Sequence, residues 1–150
     1  GNGGAVASND IDFMNKLESV KVDKGISDLN CSLGLSQLKK IEDFKYRRIE
    51  IANQYFEKMP FITKELRNLK SCFFRFPIFV SDNSSFFQSK KVAFRRGVDQ
   101  LLNKKYNCEI NLINSQKVFE RTVSIPIYPS LLKNQVKIII NETKKLFYEN

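Results

Sequence analysis

The sequence predicts an α+β fold: a small, mostly antiparallel sheet flanked by helices and preceded by one long connecting helix. Three observations predict it. Apolar residues recur at three- and four-residue steps between Ser27 and Met59, and again between Lys133 and Tyr148. Between those segments lie short β-rich runs, Cys72 to Val80 and Val123 to Ile125, cut by prolines and turn residues. Finally, the 150 residues are 42% hydrophobic and include 13 Phe. A chain of that size buries roughly 68–70% of its unfolded surface, so one core is possible and a disordered chain is excluded.

The elements follow in order. Ala5 to Ser8 could form a short buried strand. Ser8, Asn9 or Asp10 can cap a helix through about Val20, with Phe13, Leu17 and Val20 on one face. Residues 21–26 contain Gly25 and no clear period, and read as a connection. From Ser27 the apolar positions Leu35, Leu38, Ile41, Ile49, Ala52, Phe56 and Met59 describe a rod of about 50 Å if unbroken. Gly34 is its weak point, because glycine costs about 1 kcal/mol against alanine inside a helix. Pro60 stops it. The polar face, with Lys39, Lys40, Arg47, Arg48 and Glu50, reads as solvated.

After Pro60, Pro77 places the strand Cys72–Val80 at a bulge or an edge, because proline cannot donate to a ladder. A helix is expected from Asp82–Ser85 to about Arg96, with Gly97 as its stop. Val98–Leu102 and Cys108–Ile113 are candidate strands, and Gln116–Arg121 a helical turn. Val123–Ile125 is a last strand before Pro126 and Pro129. An amphipathic helix closes the chain from Lys133 to Tyr148.

The net charge of +9 attracts phosphate, whether in nucleic acid, lipid or nucleotide-sugar. It is densest from Lys90 to Lys105, where six basic residues face the single Asp99. That stretch reads as a solvated face, or alternatively as a non-catalytic binding module for nucleic acid or anionic partners. No apolar run approaches the roughly 18 residues of a membrane span, and no leader argues for export. Cys31, Cys72 and Cys108 are too far apart for a zinc pattern and read as reduced, mostly buried thiols of a cytoplasmic protein.

The absence of histidine removes the commonest general base and most transition-metal sites. No GxxxxGK[ST] loop is present. Gly1-Asn2-Gly3-Gly4 is a weak phosphate cradle by itself and more simply allows a tight turn. Adjacent acids such as Glu42 and Asp43 diverge around a helix. Arg47 with Arg48, or Arg95 with Arg96, could hold a phosphate. Tyr128, between two prolines, is a stiffly held aromatic suited to packing at a domain seam, with substrate contact next. From the residues alone, this is an α+β domain with no self-contained catalytic site.

Several segments in a fixed order carry a resemblance. They are Gly1-Asn2-Gly3-Gly4-Ala5-Val6 leading to Asn9-Asp10, Ser27 to Leu38, Tyr46-Arg47-Arg48-Ile49-Glu50-Ile51-Ala52 with Tyr55, Phe74-Arg75-Phe76-Pro77, Phe94-Arg95-Arg96-Gly97-Val98-Asp99, and Ser124 to Leu131. Together they resemble the C-terminal portion of the pyridoxal-phosphate (PLP) sugar aminotransferases of the DegT/DnrJ/EryC1/StrS family. The resemblance implies a fold-type I, usually homodimeric enzyme that moves an amino group from an amino acid to a keto-sugar attached to a nucleotide. It implies that residues 1–26 are a remnant of the large PLP-binding domain, 27–59 the connecting helix and 60–150 the small domain. Gly3 and Gly4 would neighbour the cofactor.

The family's Schiff-base lysine falls upstream of the glycine pair, so this chain is expected to hold no PLP covalently and to be inactive without a large domain or a complete subunit. Other features also depart from the family. Asp23-Lys24-Gly25 stands where many members carry Asn-Tyr-Arg. The histidine loop after the Gly-Val step is missing. Leu132 takes the place of the threonine that caps the last helix.

Overall fold

The computed structural model describes residues 6–20, 25–108, 110 and 112–149. It divides into two units, Gly1–Glu42 and Asp43–Asn150.

In the first unit, helix α1 spans Ile11–Ser19. Its N-cap is Asp10, whose carboxylate accepts the Phe13 N–H at 3.0 Å. Helix α2 spans Asp28–Leu38, with the Ser27 hydroxyl accepting from Asn30 N–H. Neither helix has a buried residue. Val6 to Ser8 have no regular structure, and Ala5 lies outside the described residues, so the expected opening strand is not found there.

The long rod is two helices. Helix α3 spans Ile41–Lys58, and the break falls at Lys39–Lys40, not at Gly34. Gly34 sits inside α2, and nothing lies within 4 Å of where its Cβ would stand. At the break the Lys40 N–H turns back to the Gln37 carbonyl, a tighter bond that ends the α-helical path. Helix α3 stops two residues before Pro60. The Arg67 guanidinium takes the free carbonyl of Phe56 at 2.9 Å, and Thr63 takes that of Met59 through both N–H and hydroxyl.

The second unit holds a three-stranded antiparallel sheet in the order β1-β3-β2, formed by β1 (Phe76–Phe79), β2 (Arg95–Arg96) and β3 (Thr122–Ile125). Pro77 lies on the edge strand β1, opposite Ser124, as its missing donor requires. Phe76 pairs with Ile125 and Ile78 with Val123; all four are buried on the face that carries the core. The Tyr55 ring of α3 meets Phe76 edge-on at 5.1 Å, and Phe56 and Phe73 close the aromatic cluster. Helix α7, Lys133–Tyr148, adds Val136, Ile139 and Ile140 to the same core. Leu132 supplies no side-chain cap to α7. Gln135 instead accepts the Leu132 N–H at 2.9 Å, the other half of a capping box.

Three predicted elements between the strands are corrected. The helix expected to reach Arg96 is α4, Ser84–Gln88, only. Ser89 ends it: its hydroxyl accepts from the N–H groups of Lys91 and Val92 and donates to Glu142, which offers the backbone an alternative to the helix. The chain then extends, and Arg95–Arg96 pair with β3. Gly97 therefore follows a strand; a Cβ there would stand 2.9 Å from Thr122 Cγ2, so glycine permits this close approach. Residues 98–101 are not a strand and lead into α5, Leu102–Lys105. Cys108, Ile110 and Leu112 carry no strand either, and α6, Ile113–Arg121, includes the predicted helical turn. Short apolar runs do not separate strand from helix by period alone. All three cysteines are exposed, not buried.

Thr143 of α7 is fully buried and its Oγ1 has no hydrogen-bond partner. An unpaired buried hydroxyl costs about 1–3 kcal/mol. Thr143→Val is accordingly expected to leave stability unchanged or raise it by up to that amount in urea unfolding. A loss above about 1 kcal/mol would mean that the hydroxyl is bonded.

Candidate functional site

The site is organised by α3. Arg47 and Tyr55, eight residues apart, are separated by about 12 Å along the helix. Arg47 Nη2 donates to the Leu131 carbonyl at 2.7 Å, while Nη1 donates to Glu50 Oε2 at 2.5 Å. Tyr55 Oη donates to the Pro126 carbonyl at 2.7 Å. The two side chains thus hold both ends of the proline-rich segment that follows β3. Arg47, expected on a solvated face, is instead partly buried and tied to Leu131. Arg48 lies with its guanidinium over the Phe74 ring, 5.5 Å from the centroid, and its Nε is buried without a partner. Tyr55 is fully buried; burial first, and then the neighbouring Tyr128 phenol, push its phenol well above the usual value.

Beside the held segment is a cleft of about 600 Å³. Its walls come from residues 74–75, residues 91–95, the run from Ser124 to Leu131, and one face of α7. Ile125, Ile127 and Leu131 give it an apolar floor. Tyr128 lines it and is half-exposed. Arg75, Lys91 and Arg95 bring positive charge, and no carboxylate is among its lining residues. Arg75 Nη1 reaches across β3 to the carbonyls of Arg96 and Gly97, at 3.1 and 3.0 Å.

Gly3 and Gly4, read from sequence as cofactor neighbours, lie outside the described residues. The basic stretch from Lys90 to Lys105 is divided among different tasks. Lys91 pairs with Glu142 at 3.8 Å. Arg96 packs its guanidinium over Phe87 and Phe119, at 4.7 and 5.1 Å from the ring centroids. Lys104 and Lys105 sit on α5. This dispersal gives the nucleic-acid reading no support. Among the described residues, no helix is long and apolar enough to cross a membrane.

Sequence reasoning missed Arg47 and Tyr55 as the residues that fix the proline-rich segment. Both bonds join residues far apart in the chain, so no local signal was available.

A short antiparallel sheet with helices α3 and α7 contributing to one core, and a proline-rich turn tied to the first of them, defines an α+β domain. The chain belongs to the DegT/DnrJ/EryC1/StrS aminotransferase family, whose model matches residues 12–144. It is 29% identical over 131 residues to the UDP-4-amino-4,6-dideoxy-N-acetyl-beta-L-altrosamine transaminase of Campylobacter jejuni, covering 76% of this chain and 35% of that protein. Among solved structures it resembles PseC of Helicobacter pylori, an aminotransferase involved in the biosynthesis of pseudoaminic acid. The TM-score is 0.67 at 22% identity, over 95% of this chain and 48% of that one. It also resembles NtdA of Bacillus subtilis with the cofactor PMP bound, at a TM-score of 0.61 and 16% identity, over 87% of this chain and 36% of that one. At these identities the solved structures establish a shared fold. The chain spans well under half the length of the curated relatives it matches.

Proposed function

We propose that the chain is the C-terminal portion of a PLP-dependent aminotransferase that moves an amino group from an amino acid to a keto-sugar attached to a nucleotide. The observation that carries this reading is the family match over residues 12–144. The fold likeness to sugar aminotransferases supports it. In this reading residues 1–26 belong with a large cofactor-binding domain, 27–59 connect, and 60–150 form the small domain. The partner is that large domain or a complete subunit, within a cytoplasmic homodimer.

The residues described here do not by themselves fit PLP. In the family's enzymes the cofactor's pyridine nitrogen faces an aspartate and its aldehyde carbon a lysine. The cleft offers cations and an apolar floor but no carboxylate. No step of amino transfer is therefore assigned to these side chains. Their part is to hold the proline-rich segment rigid through Arg47 and Tyr55.

The reading predicts that this chain alone does not transaminate. Treating the purified chain with PLP and borohydride should leave no stoichiometric adduct in its intact mass. One lysine labelled to completion would overturn the claim that the reactive amine is supplied by another segment.

A further inference from the structure

We propose that the cleft between residues 91–95, the proline-rich segment and α7 binds a small organic anion: an aromatic or other apolar body carrying one phosphate or carboxylate. The inference goes beyond the aminotransferase reading and does not rest on it.

Shape comes first. About 600 Å³ lies within the range of small-molecule sites, roughly 300–1,000 Å³. The apolar floor would take the body of such a ligand. At the wall, Phe74 is 69% exposed and Tyr128 44% exposed. The exposure of Phe74 has a specific origin. Phe73 adopts a positive φ of 47°, uncommon for a bulky residue. Phe73 is buried in the core while Phe74 stands at the cleft. Strain of this kind persists only where the surroundings impose it, and it gathers at binding sites.

Charge comes second, and each cation has a distinct state. Lys91 is engaged by Glu142 at 3.8 Å. Arg75 gives Nη1 to two neutral carbonyls, so its charge is not compensated by them. The Arg95 side chain has no hydrogen-bond or ion-pair partner among the described residues, and the β2 register sets it opposite Ser124, which also lines the cleft. Two arginines therefore line an apolar recess that has no carboxylate among its lining residues. Beside an apolar floor the effective dielectric is lower than in water, which strengthens their pull on an anion. A guanidinium also matches the planar or tetrahedral oxygens of carboxylate and phosphate with paired donors.

Rigidity comes third. The segment that carries Tyr128 is held at Pro126 and Leu131 by bonds from α3. A wall fixed before the ligand arrives reduces the ordering that binding would otherwise require.

The test is a titration of the 150-residue chain followed by amide NMR shifts, with four probes: phenyl phosphate, phenylacetate, inorganic phosphate and benzyl alcohol. The expected result is saturable shifts confined to residues 91–95, 124–131 and the facing turns of α7. They should arise from phenyl phosphate or phenylacetate at lower concentration than from either single-feature probe. Whichever of the two aromatic anions binds tighter identifies the head group. Arg95→Ala should weaken that binding at least roughly tenfold, since a charge-assisted bond is involved. Arg95→Lys should recover part of it, and Lys104→Ala should change nothing. Arg95 is exposed, so its variants should keep the wild-type spectrum elsewhere. The proposal is overturned if no probe saturates, if inorganic phosphate binds as tightly as phenyl phosphate, or if Lys104→Ala weakens binding as much as Arg95→Ala. None of these results depends on PLP, so failure here leaves the borohydride experiment to decide the aminotransferase reading separately.

Discussion

Phe76→Ala is expected to destabilise the second unit by about 3–5 kcal/mol, the range for removing a buried aromatic ring from a core. Phe76 is fully buried and touches three other rings: Tyr55 at 5.1 Å, Phe56 at 5.5 Å and Phe73 at 5.6 Å between centroids. It also sits in β1 directly opposite Ile125 of the central strand. The substitution removes the ring's own transfer energy and leaves a cavity that helix and sheet cannot both close. A single folded unit has only about 5–15 kcal/mol in total, so the variant should be partly unfolded at 37 °C. Urea unfolding followed by circular dichroism measures this. A shift below about 1 kcal/mol would mean that the aromatic cluster is not the centre of the core. Phe76→Leu, which retains most of the volume, should lose considerably less.

Tyr55→Phe tests the tie between α3 and the proline-rich segment, and it carries a pH signature. Removing the hydroxyl leaves the Pro126 carbonyl without its donor, at an expected loss of about 1–3 kcal/mol at neutral pH. The folded phenol is held above its ordinary value of 10.0, by burial first and Tyr128 second. Its contribution is therefore complete below pH 10, where both states are protonated. Above pH 10 the unfolded chain releases the proton and the folded chain does not, so stability falls as pH rises. The slope is about 1.4 kcal/mol per pH unit for one proton. Between pH 10 and 11.5 the wild-type chain should lose stability faster than Tyr55→Phe by about that slope. Parallel curves for the two proteins would show that Tyr55 titrates as it does in the unfolded chain.

The two residues at the centre of this architecture differ in how visible they were in the sequence. Tyr55 belonged to an arginine-to-tyrosine pattern whose resemblance to the family was evident, but its bond to Pro126 joins residues 71 apart in the chain. Arg47 was read as a solvated charge because it sits among other charged residues on α3. Its bond to Leu131 spans 84 residues, a distance no local pattern encodes. The same limit explains Ser89. A serine among Phe86, Phe87, Lys90 and Lys91 does not announce a helix end, yet its contact with Glu142 of α7 and its local bonds fix one there. Arg95 and Arg96 were adjacent basic residues in sequence. Strand pairing gave them different roles, one beside the cleft and one packed against the rings of Phe87 and Phe119.

The sequence alone determined the α+β class, that Pro77 lies at a bulge or an edge, that α1 starts after Ser8, Asn9 or Asp10, the last strand and the closing helix. Each of these follows from neighbouring residues: a side-chain period, a missing donor, a capping carboxylate. Tertiary structure decided where the connecting helix breaks, where α4 gives way to β2, which polar side chains of α3 are tied down and how the cleft is assembled. Those outcomes depend on which distant carbonyls and rings are brought within bonding distance, and that is set by packing of the whole core.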